Sequence, residues 1–555
     1  MRQTPHLAVS SAVAAAVLAF CALTALGAAP ATEAAGRPTA APRPVTAAGP
    51  EPEPEPAPVT LPFTRSARST VIAPGVTQTS LVLGRTDAGA DDVWTVHVNQ
   101  PLTDDGPYSR ATGALGPEAR AGRLAAALRA KGFEPRVEEV RTPAYADRPA
   151  GTLGWTVRVG RYADRSAAAT ALAKVRAAGF AGDNRYTAQD GTDAEALQRV
   201  FVVQVDFKQF TGRLASDFGP SVDVFEQLPD LVSATGALAG INAQWFADSG
   251  APLGLYVKDG RLLSSATQGR GGIRIARGGR EVDVDTYSTR ITVSVGKATR
   301  EVDGINRTPG EIWNCGGVGG DLPTQHPQQD FKCTDESELV RFTREWTTPP
   351  AGPGAEVVLD RDDRVTAVNR TRGAKPPAGG STLQAVGESA RWLIAHARPG
   401  IRLGFTQRVL DGGGNTVPLT ADTTIVQVGP TLVRDGRVAV NAVGDGIIRE
   451  GVDQTHPYNW VVRGNPRSMI GVDDQGRLLL VVVDGRQVGW SSGLSITGAA
   501  ELMKSLGARE ALNLDGGGSS VMVTTGSGIV NRPSDATGPR TLGNVLLLHR
   551  TATGR

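Results

Sequence analysis

The spacing of apolar and polar positions changes character three times along the chain. Leu7 to Leu26 are almost wholly apolar, Gly36 to Pro62 are mostly Ala, Pro and Thr, residues 92 to 190 alternate, and from Val200 onward long apolar runs are cut by short polar turns. This last region predicts strands at Val200 to Phe207, Gly254 to Leu263, Thr424 to Val433, Arg477 to Val483, Val521 to Thr524 and Leu542 to Leu548. Asp259-Gly260, Asp435-Gly436 and Asp484-Gly485 fall between apolar runs, where such pairs form hairpin turns. One helix is clear: Thr497 can cap it, Leu502, Met503 and Leu506 supply its apolar face, and Gly507 can end it.

Residues 92 to 190 contain an internal repeat. Trp94-Thr95-Val96-His97-Val98 recurs as Trp155-Thr156-Val157-Arg158-Val159, and each copy leads into an Ala/Leu-rich helix, with Leu124 and Leu128 in the first and Leu172 and Val175 in the second. The helices end at Gly132-Phe133 and Gly179-Phe180, and each returns to a short strand, Pro135 to Val140 and Asn184 to Thr187. The predicted order is βαββαβ, as in ferredoxin-like units. With Gly160-Arg161-Tyr162 after the second strand and Ala167 to Ala178 in the second helix, the region resembles the sporulation-related (SPOR) repeat family; the first half departs by carrying Thr103 to Gly116. The resemblance implies binding to peptidoglycan glycan strands stripped of stem peptides, and so tethering to the wall. A generic α+β interaction module is the alternative.

Length and charge narrow the picture. At about 100 to 200 residues per domain, 555 residues hold two or three folded units. Lys plus Arg total 58 against 56 Asp plus Glu, so no general attraction to nucleic acid or anionic lipid follows. Arg2, the apolar run and the small residues at Gly27 to Ala29 read as a secretory signal peptide over 1–29, with no stable membrane insertion once it is cleaved. Residues 30–65, with Glu and Pro alternating from Glu51 to Pro56, read as a disordered Pro/Ala-rich linker. Cys21 lies in the leader and is preceded by Phe20, unlike a lipoprotein site. That leaves Cys315 and Cys333, which in an oxidising compartment predict one disulfide closing a Gly- and Pro-rich loop; with His326 alone beside them they make a poor metal site.

The chemistry concentrates after the clear helix. Ala511 to Leu514 form a short buried strand that runs into Asp515-Gly516-Gly517-Gly518-Ser519-Ser520, which brings a carboxylate and unobstructed backbone N–H groups to one place. No Lys follows, so this is not a nucleotide-binding P-loop. Asn513 to Ser520, followed by Asn531-Arg532-Pro533 and Gly543-Asn544, resembles the phosphodiester glycosidase family, whose type activity is on α-N-acetylglucosamine-1-phosphodiesters. Gly240-Ile241-Asn242 leading to Phe246, Gly429-Pro430, Asn465-Pro466-Arg467 and Val483-Asp484-Gly485-Arg486 extend the resemblance in the right order. Two departures stand out: Ala243-Gln244-Trp245-Phe246 where the family has Gly and two Phe, and Ser468 where it has Thr. Val71 to Thr77 resembles the domain's opening strand, which would insert the repeat after it, and about 271–380, with the Cys pair, looks like an insertion.

The expected protein is therefore α+β. It has a mixed or antiparallel sheet catalytic domain with flanking helices over 198–551, opened by strands in 66–90, and a ferredoxin-like βαββαβ domain over 92–190. The resemblance implies cleavage of a sugar-1-phosphodiester in wall or extracellular polysaccharide. The departing phosphate monoester needs little general-acid help, so cations and N–H donors on the phosphate are the main requirement. Arg467, Arg486, Arg532 and the amides of Gly516 to Ser519 are the candidates for the phosphate. Asp515 first and Asp484 second are candidates for the carboxylate at the anomeric carbon, although Asp484-Gly485 could be only a turn. Asn242, Asn513, Asn531 and Asn544 would hold sugar hydroxyls or phosphate oxygens, and His456 near Trp460 could face the site.

Two other functions remain open. One is a non-catalytic glycan-binding wall protein. The other is a serine esterase, since Gly489-Trp490-Ser491-Ser492-Gly493 fits the Gly-x-Ser-x-Gly elbow with Asp515 or Asp535 and then His549 following. No cofactor and no catalytic metal are expected. Asp283 with Asp285, and Asp360 with Asp362 and Asp363, could hold a structural Ca²⁺ but lack a recognisable loop spacing. The expected location is secreted, extracellular or wall-associated.

Overall fold

The computed structural model describes residues 63–85, 92–102, 112–191, 195–267, 269–314, 332–448 and 454–551. The expected leader, most of the linker, and Cys315 with its pairing to Cys333 lie outside those residues. The described chain is mostly sheet with five α-helices.

An eight-stranded sheet forms the frame. Its order is Thr64–Ala73, Val76–Leu83, Gln198–Val205, Leu478–Val483, Arg467–Asp473, Ala508–Asn513, Thr431–Arg434 and Arg437–Val438, with every neighbouring pair antiparallel. Successive side chains of a strand point to opposite faces, and here both faces are covered. Leu478, Leu480 and Val482 join a core with Ile241, Ile273, Met522 and Leu546 from two further sheets. Leu479, Val481 and Val483 point the other way, into a core with Ile496, Ala499 and Met503 of the helix Ile496–Ser505. This is why the strand reads Leu-Leu-Leu-Val-Val-Val without polar alternation.

The second sheet has five strands in the order Gly212–Asp217, Val545–Arg550, Ala239–Asn242, Met522–Thr524 and Gly528–Ile529. A third is built on the long strand Glu281–Val295 and includes Arg270–Ala276, Thr424–Gln427 and Gly404–Leu410. A fourth, from Gly304–Ile305 to Ser381–Ala385, contains one parallel pair and packs on the helix Gly387–His396.

The repeat region forms a four-stranded antiparallel sheet in the order Pro135–Thr142, Gly151–Tyr162, Trp94–Val98, Gly182–Tyr186. Its helices, Glu118–Ala130 and Arg165–Ala177, bury Leu124, Leu128, Leu172 and Val175 against Val96, Val98, Val157 and Val159. In chain order it lies between Val76–Leu83 and Gln198–Val205, which pair directly with each other.

Three local expectations change. Thr424 to Val433 is two strands in different sheets, because Gly429, at φ 79°, and Pro430 turn the chain between them. The clear helix is capped by Ser495, whose hydroxyl accepts from Gly498 N at 3.0 Å, rather than by Thr497. Asp259-Gly260 and Asp435-Gly436 are hairpin turns with positive φ at both residues. Asp484-Gly485 is not, since Leu478–Val483 pairs with strands that precede it in the chain.

Leu480→Ala leaves a cavity between the first two sheets. It should lower unfolding stability by about 2 to 5 kcal/mol in urea titration.

Candidate active site

The strand Ala508–Asn513 leaves the eight-stranded sheet where the second sheet comes closest. Leu514 N donates to Ser468 O at 2.8 Å and Asp515 N to Ala243 O at 2.9 Å. Asn242, fully buried, donates from Nδ2 to the Asp515 carbonyl at 2.6 Å and accepts from Ser468 Oγ at 2.6 Å and Val521 N at 3.2 Å. The main chain of Asp515 is thus held from both sheets. The following glycines have separate reasons. Gly517 has φ 65°, and a Cβ on Gly518 would overlap the Arg540 guanidinium and the Asp535 carboxylate.

Asp515 and Gly516 to Gly518 form the floor of a cavity of about 350 Å³, walled by Arg486, Arg540, Trp245, Trp460, His456, Phe246, Asp248, Trp313 and Asn314. Burial pushes the Asp515 carboxyl up to about 6. The Ser519 hydroxyl, the Gly516 N–H and the charges of Arg540 and Arg486 act against that shift. Gly516 N donates to Asp515 Oδ1 at 2.8 Å. Arg486 adopts φ 59° and donates from Nε and Nη2 to Asn465 Oδ1 at 2.9 and 2.6 Å. Arg540 pairs with Asp535 at 2.8 Å.

The indoles of Trp245 and Trp460 meet edge to face at 5.7 Å, and His456 stacks on Trp460. Behind each indole lies a fully buried arginine. Arg467 sits 4.8 Å from the Trp460 ring and Arg270 5.0 Å from the Trp245 ring. Arg467 donates to Leu494 O at 2.8 Å and to Trp460 O. Burial first, then the charge of Arg486, pushes Arg467 down to about 9; burial pushes Arg270 down to about 10 against the attraction of Asp445. Among the described residues neither has a carboxylate hydrogen-bond partner, so both leave positive potential in the wall behind the indoles.

Of the residues singled out in the sequence, the structure brings Asp515, Gly516, Gly517, Gly518 and Arg486 to the cavity, with His456 and Trp460 beside them. The others stand behind it or elsewhere. Asp484 accepts from Trp490 Nε1 at 2.7 Å, Asn531 Nδ2 at 3.1 Å and Arg532 N at 3.0 Å, and it does not line the cavity. Burial raises its pKa against those three donors. Asn531 also accepts from Met522 N, and the Arg532 guanidinium lies over Trp490. Asn544 exchanges hydrogen bonds with Gln244, and Asn513 donates to Leu514 O and Gly429 O. Ser519 is buried, close to Asp515. Arg540, Asp248, Trp313 and Asn314 were not foreseen. Arg540, Asp248 and Asn314 come from loops and Trp313 ends the short strand Glu311–Trp313, and only folding brings them together.

The two departures from the family pattern separate here. Ser468 supplies its hydroxyl to Asn242, which a Thr hydroxyl could do as well, whereas Trp245 faces the cavity. Ser491 is buried, donates to Asp484 O at 2.6 Å and accepts from Arg199 N at 3.1 Å, with no histidine among its partners. His549 sits on the second sheet beside Arg213, Asp217 and Lys258. The acidic pairs are engaged: Asp283 with Arg274, Asp363 with Arg341, and Asp360 with N–H groups of its own turn. Among the described residues no three His, Cys, Asp or Glu side chains converge as a ligand set, and no helix is long and apolar enough to cross a membrane.

Residues 354–549 match the phosphodiester glycosidase family model and residues 106–182 the SPOR domain model. The first match begins inside the stretch expected to be an insertion. The chain is 30% identical to a Burkholderia pseudomallei protein of known crystal structure, named as a candidate exported protein, with TM-score 0.78 and 89% of this chain and 99% of that one covered. A hypothetical protein from Synechocystis is 16% identical over 88% of this chain and 81% of its own, TM-score 0.48. The catalytic domain of zebrafish N-acetylglucosamine-1-phosphodiester alpha-N-acetylglucosaminidase, auto-inhibited by its pro-peptide, is 13% identical over 83% of this chain and 89% of its own, TM-score 0.33. No curated protein matches.

Asp484→Ala removes the shared acceptor of Trp490 Nε1, the buried Asn531 Nδ2 and Arg532 N. It should cost roughly 2 to 4 kcal/mol in thermal or urea unfolding. A fluorophosphonate should leave Ser491 of the folded protein unlabelled, and labelling there would revive the esterase reading.

Proposed function

Because the chain belongs to the phosphodiester glycosidase family and carries a SPOR domain, we propose that it is an exported, wall-associated hydrolase. Its reaction would cleave the bond between a sugar anomeric carbon and a phosphodiester in a wall or extracellular polysaccharide. The observation that carries this reading is one cavity in which a buried carboxylate, two arginines and a glycine-rich backbone turn meet beside two indoles. A glycan ring has apolar C–H faces that suit Trp245 and Trp460. A phosphodiester oxygen suits Arg486 and Arg540, whereas the N–H groups of Gly516, Gly517 and Ser519 already donate within the turn and to Pro466 O.

In the proposed reaction the C1–O bond breaks and its electron pair goes to the phosphate oxygen, which leaves as a phosphomonoester held by the arginines. Water adds at C1 and gives its proton to Asp515 acting as base; in the alternative course Asp515 first bonds to C1 as a glycosyl ester, water then displaces that carboxylate, and the water's proton goes to the released phosphomonoester or to solvent. Either course needs Asp515 ionised. Asn242 and Arg467 act as positioning residues, the first through the Asp515 carbonyl and the second through Trp460. The four-stranded sheet with two helices is read as a ferredoxin-like SPOR unit, and it supports a place at peptidoglycan.

Asp515→Asn should lower turnover by roughly a thousandfold or more. The assay is phosphomonoester release from UDP-N-acetylglucosamine and from an α-N-acetylglucosaminyl phosphodiester. No turnover by folded wild-type protein on these or on wall polymers, with binding to the polymer retained, would favour the non-catalytic reading.

The pH profile gives a second check. An Asp515 pKa of about 6 means that kcat/KM should rise with pH through about 6, because the carboxyl is protonated below it. The same shift favours the folded state below the ordinary carboxylate range, and that contribution is lost as pH rises through about 6. A rate that falls through the same range would assign Asp515 as an acid instead.

A further inference from the structure

The middle of the repeat domain's sheet is covered on both faces, while Glu138 and Asp183 at the margins of its polar face stay partly exposed. Val96, Val98, Val157 and Val159 point at its own helices, and the residues between them point away: Thr95, His97, Thr156 and Arg158, all buried. What covers this second face is the hydrolase segment 454–464. Arg158 Nη2 donates to Tyr458 Oη at 3.0 Å, and Arg185, on the edge strand Gly182–Tyr186, donates to Asn459 Oδ1 at 2.9 Å with its guanidinium 5.1 Å from the Tyr458 ring. Ala114 N donates to Thr455 Oγ1 at 2.7 Å and Gly464 N to Gln189 O at 2.8 Å. Arg463 pairs with Asp190 at 3.4 Å.

The covered segment is part of the cavity wall. Pro457–Val462 form one π-helical turn, closed by Arg463 N donating to Tyr458 O at 3.1 Å. Such a turn is rare without outside support. Tyr458 and Asn459 reach the repeat domain, while His456 and Trp460 line the cavity. Asn465 ties the two sides together. Its Nδ2 donates to Asn459 O at 2.9 Å and Arg463 O at 2.8 Å, and its Oδ1 accepts both hydrogen bonds of Arg486.

We propose that the repeat domain is a positioning arm of the cavity, in which Arg158 and Arg185 fix Tyr458 and Asn459 and thereby set Trp460, His456 and Arg486 for substrate. The kinetic part of the test rests on the proposed hydrolysis, and the exchange part does not.

The test compares full-length wild type, Arg185→Gln and Asn459→Ala by amide hydrogen exchange and by turnover of the α-N-acetylglucosaminyl phosphodiester. Losing a charged hydrogen bond should speed exchange across 454–464 by about tenfold, while Leu478–Val483 stays protected. KM should rise about tenfold with kcat within about threefold, the pattern of a displaced binding wall. Arg185→Lys, which keeps the charge and loses the planar stack, should fall between. Unchanged exchange over 454–464 in either folded variant would overturn the proposal, as would an unchanged KM. A wild type that turns over no diester would defeat the hydrolase reading while the exchange data still decide this one. Asn459→Ala removes the contact from the other partner, so it decides the matter if Arg185→Gln fails to fold.

Discussion

Asn242 donates its amide to the Asp515 carbonyl and accepts from Ser468 and Val521, joining two sheets at the point where the candidate carboxylate leaves its strand. A buried amide must find partners on both its oxygen and its nitrogen, and these partners come from different parts of the chain. Moving the end of either sheet would strand at least one of them. The main chain at Asp515 is therefore over-determined before any substrate arrives, as a catalytic carboxylate requires if its reorganisation is to cost little.

Charge is arranged around that point in depth. Arg486 and Arg540 reach the cavity, while Arg467 and Arg270 stand behind the indoles without carboxylate hydrogen-bond partners among the described residues. Burying a cation in this way costs stability, and the lowered pKa of both groups expresses that cost. An indole face offsets part of it. Asp445, the acid nearest Arg270, is itself tied to Gly271 N and Thr431 N. The resulting positive potential suits a substrate with a phosphodiester better than a neutral glycan, a preference that agrees with the family match.

The SPOR domain and the domain into which it is inserted are not beads on a string. Val76–Leu83 and Gln198–Val205 bracket the repeat and pair with each other, so the inserted domain leaves and rejoins one sheet. Its polar sheet face then packs on 454–464 through Arg158, Arg185 and His97. Two domains that share both covalent ends and a buried polar interface have little freedom to move independently.

The sequence by itself determined the elements whose spacing is local. The doubly buried strand Leu478–Val483, the repeat's strands and helices, two of the three Asp-Gly turns, and the carboxylate running into Gly516 to Gly518 all follow from periodicity or from backbone conformations that only some residues adopt. It ranked Asp515 ahead of Asp484 but could not show what surrounds either carboxylate, because both are Asp-Gly pairs after an apolar run; in the structure Trp490, Asn531 and Arg532 fold back onto Asp484. The ends of Thr424 to Val433 in two sheets, the place of Arg540 and Trp313 in the cavity, and the docking of Arg158 on Tyr458, 300 positions away, were decided only in the tertiary structure. Such contacts depend on how sheets stack and loops close, and side chains far apart in the chain carry no local periodicity to announce them.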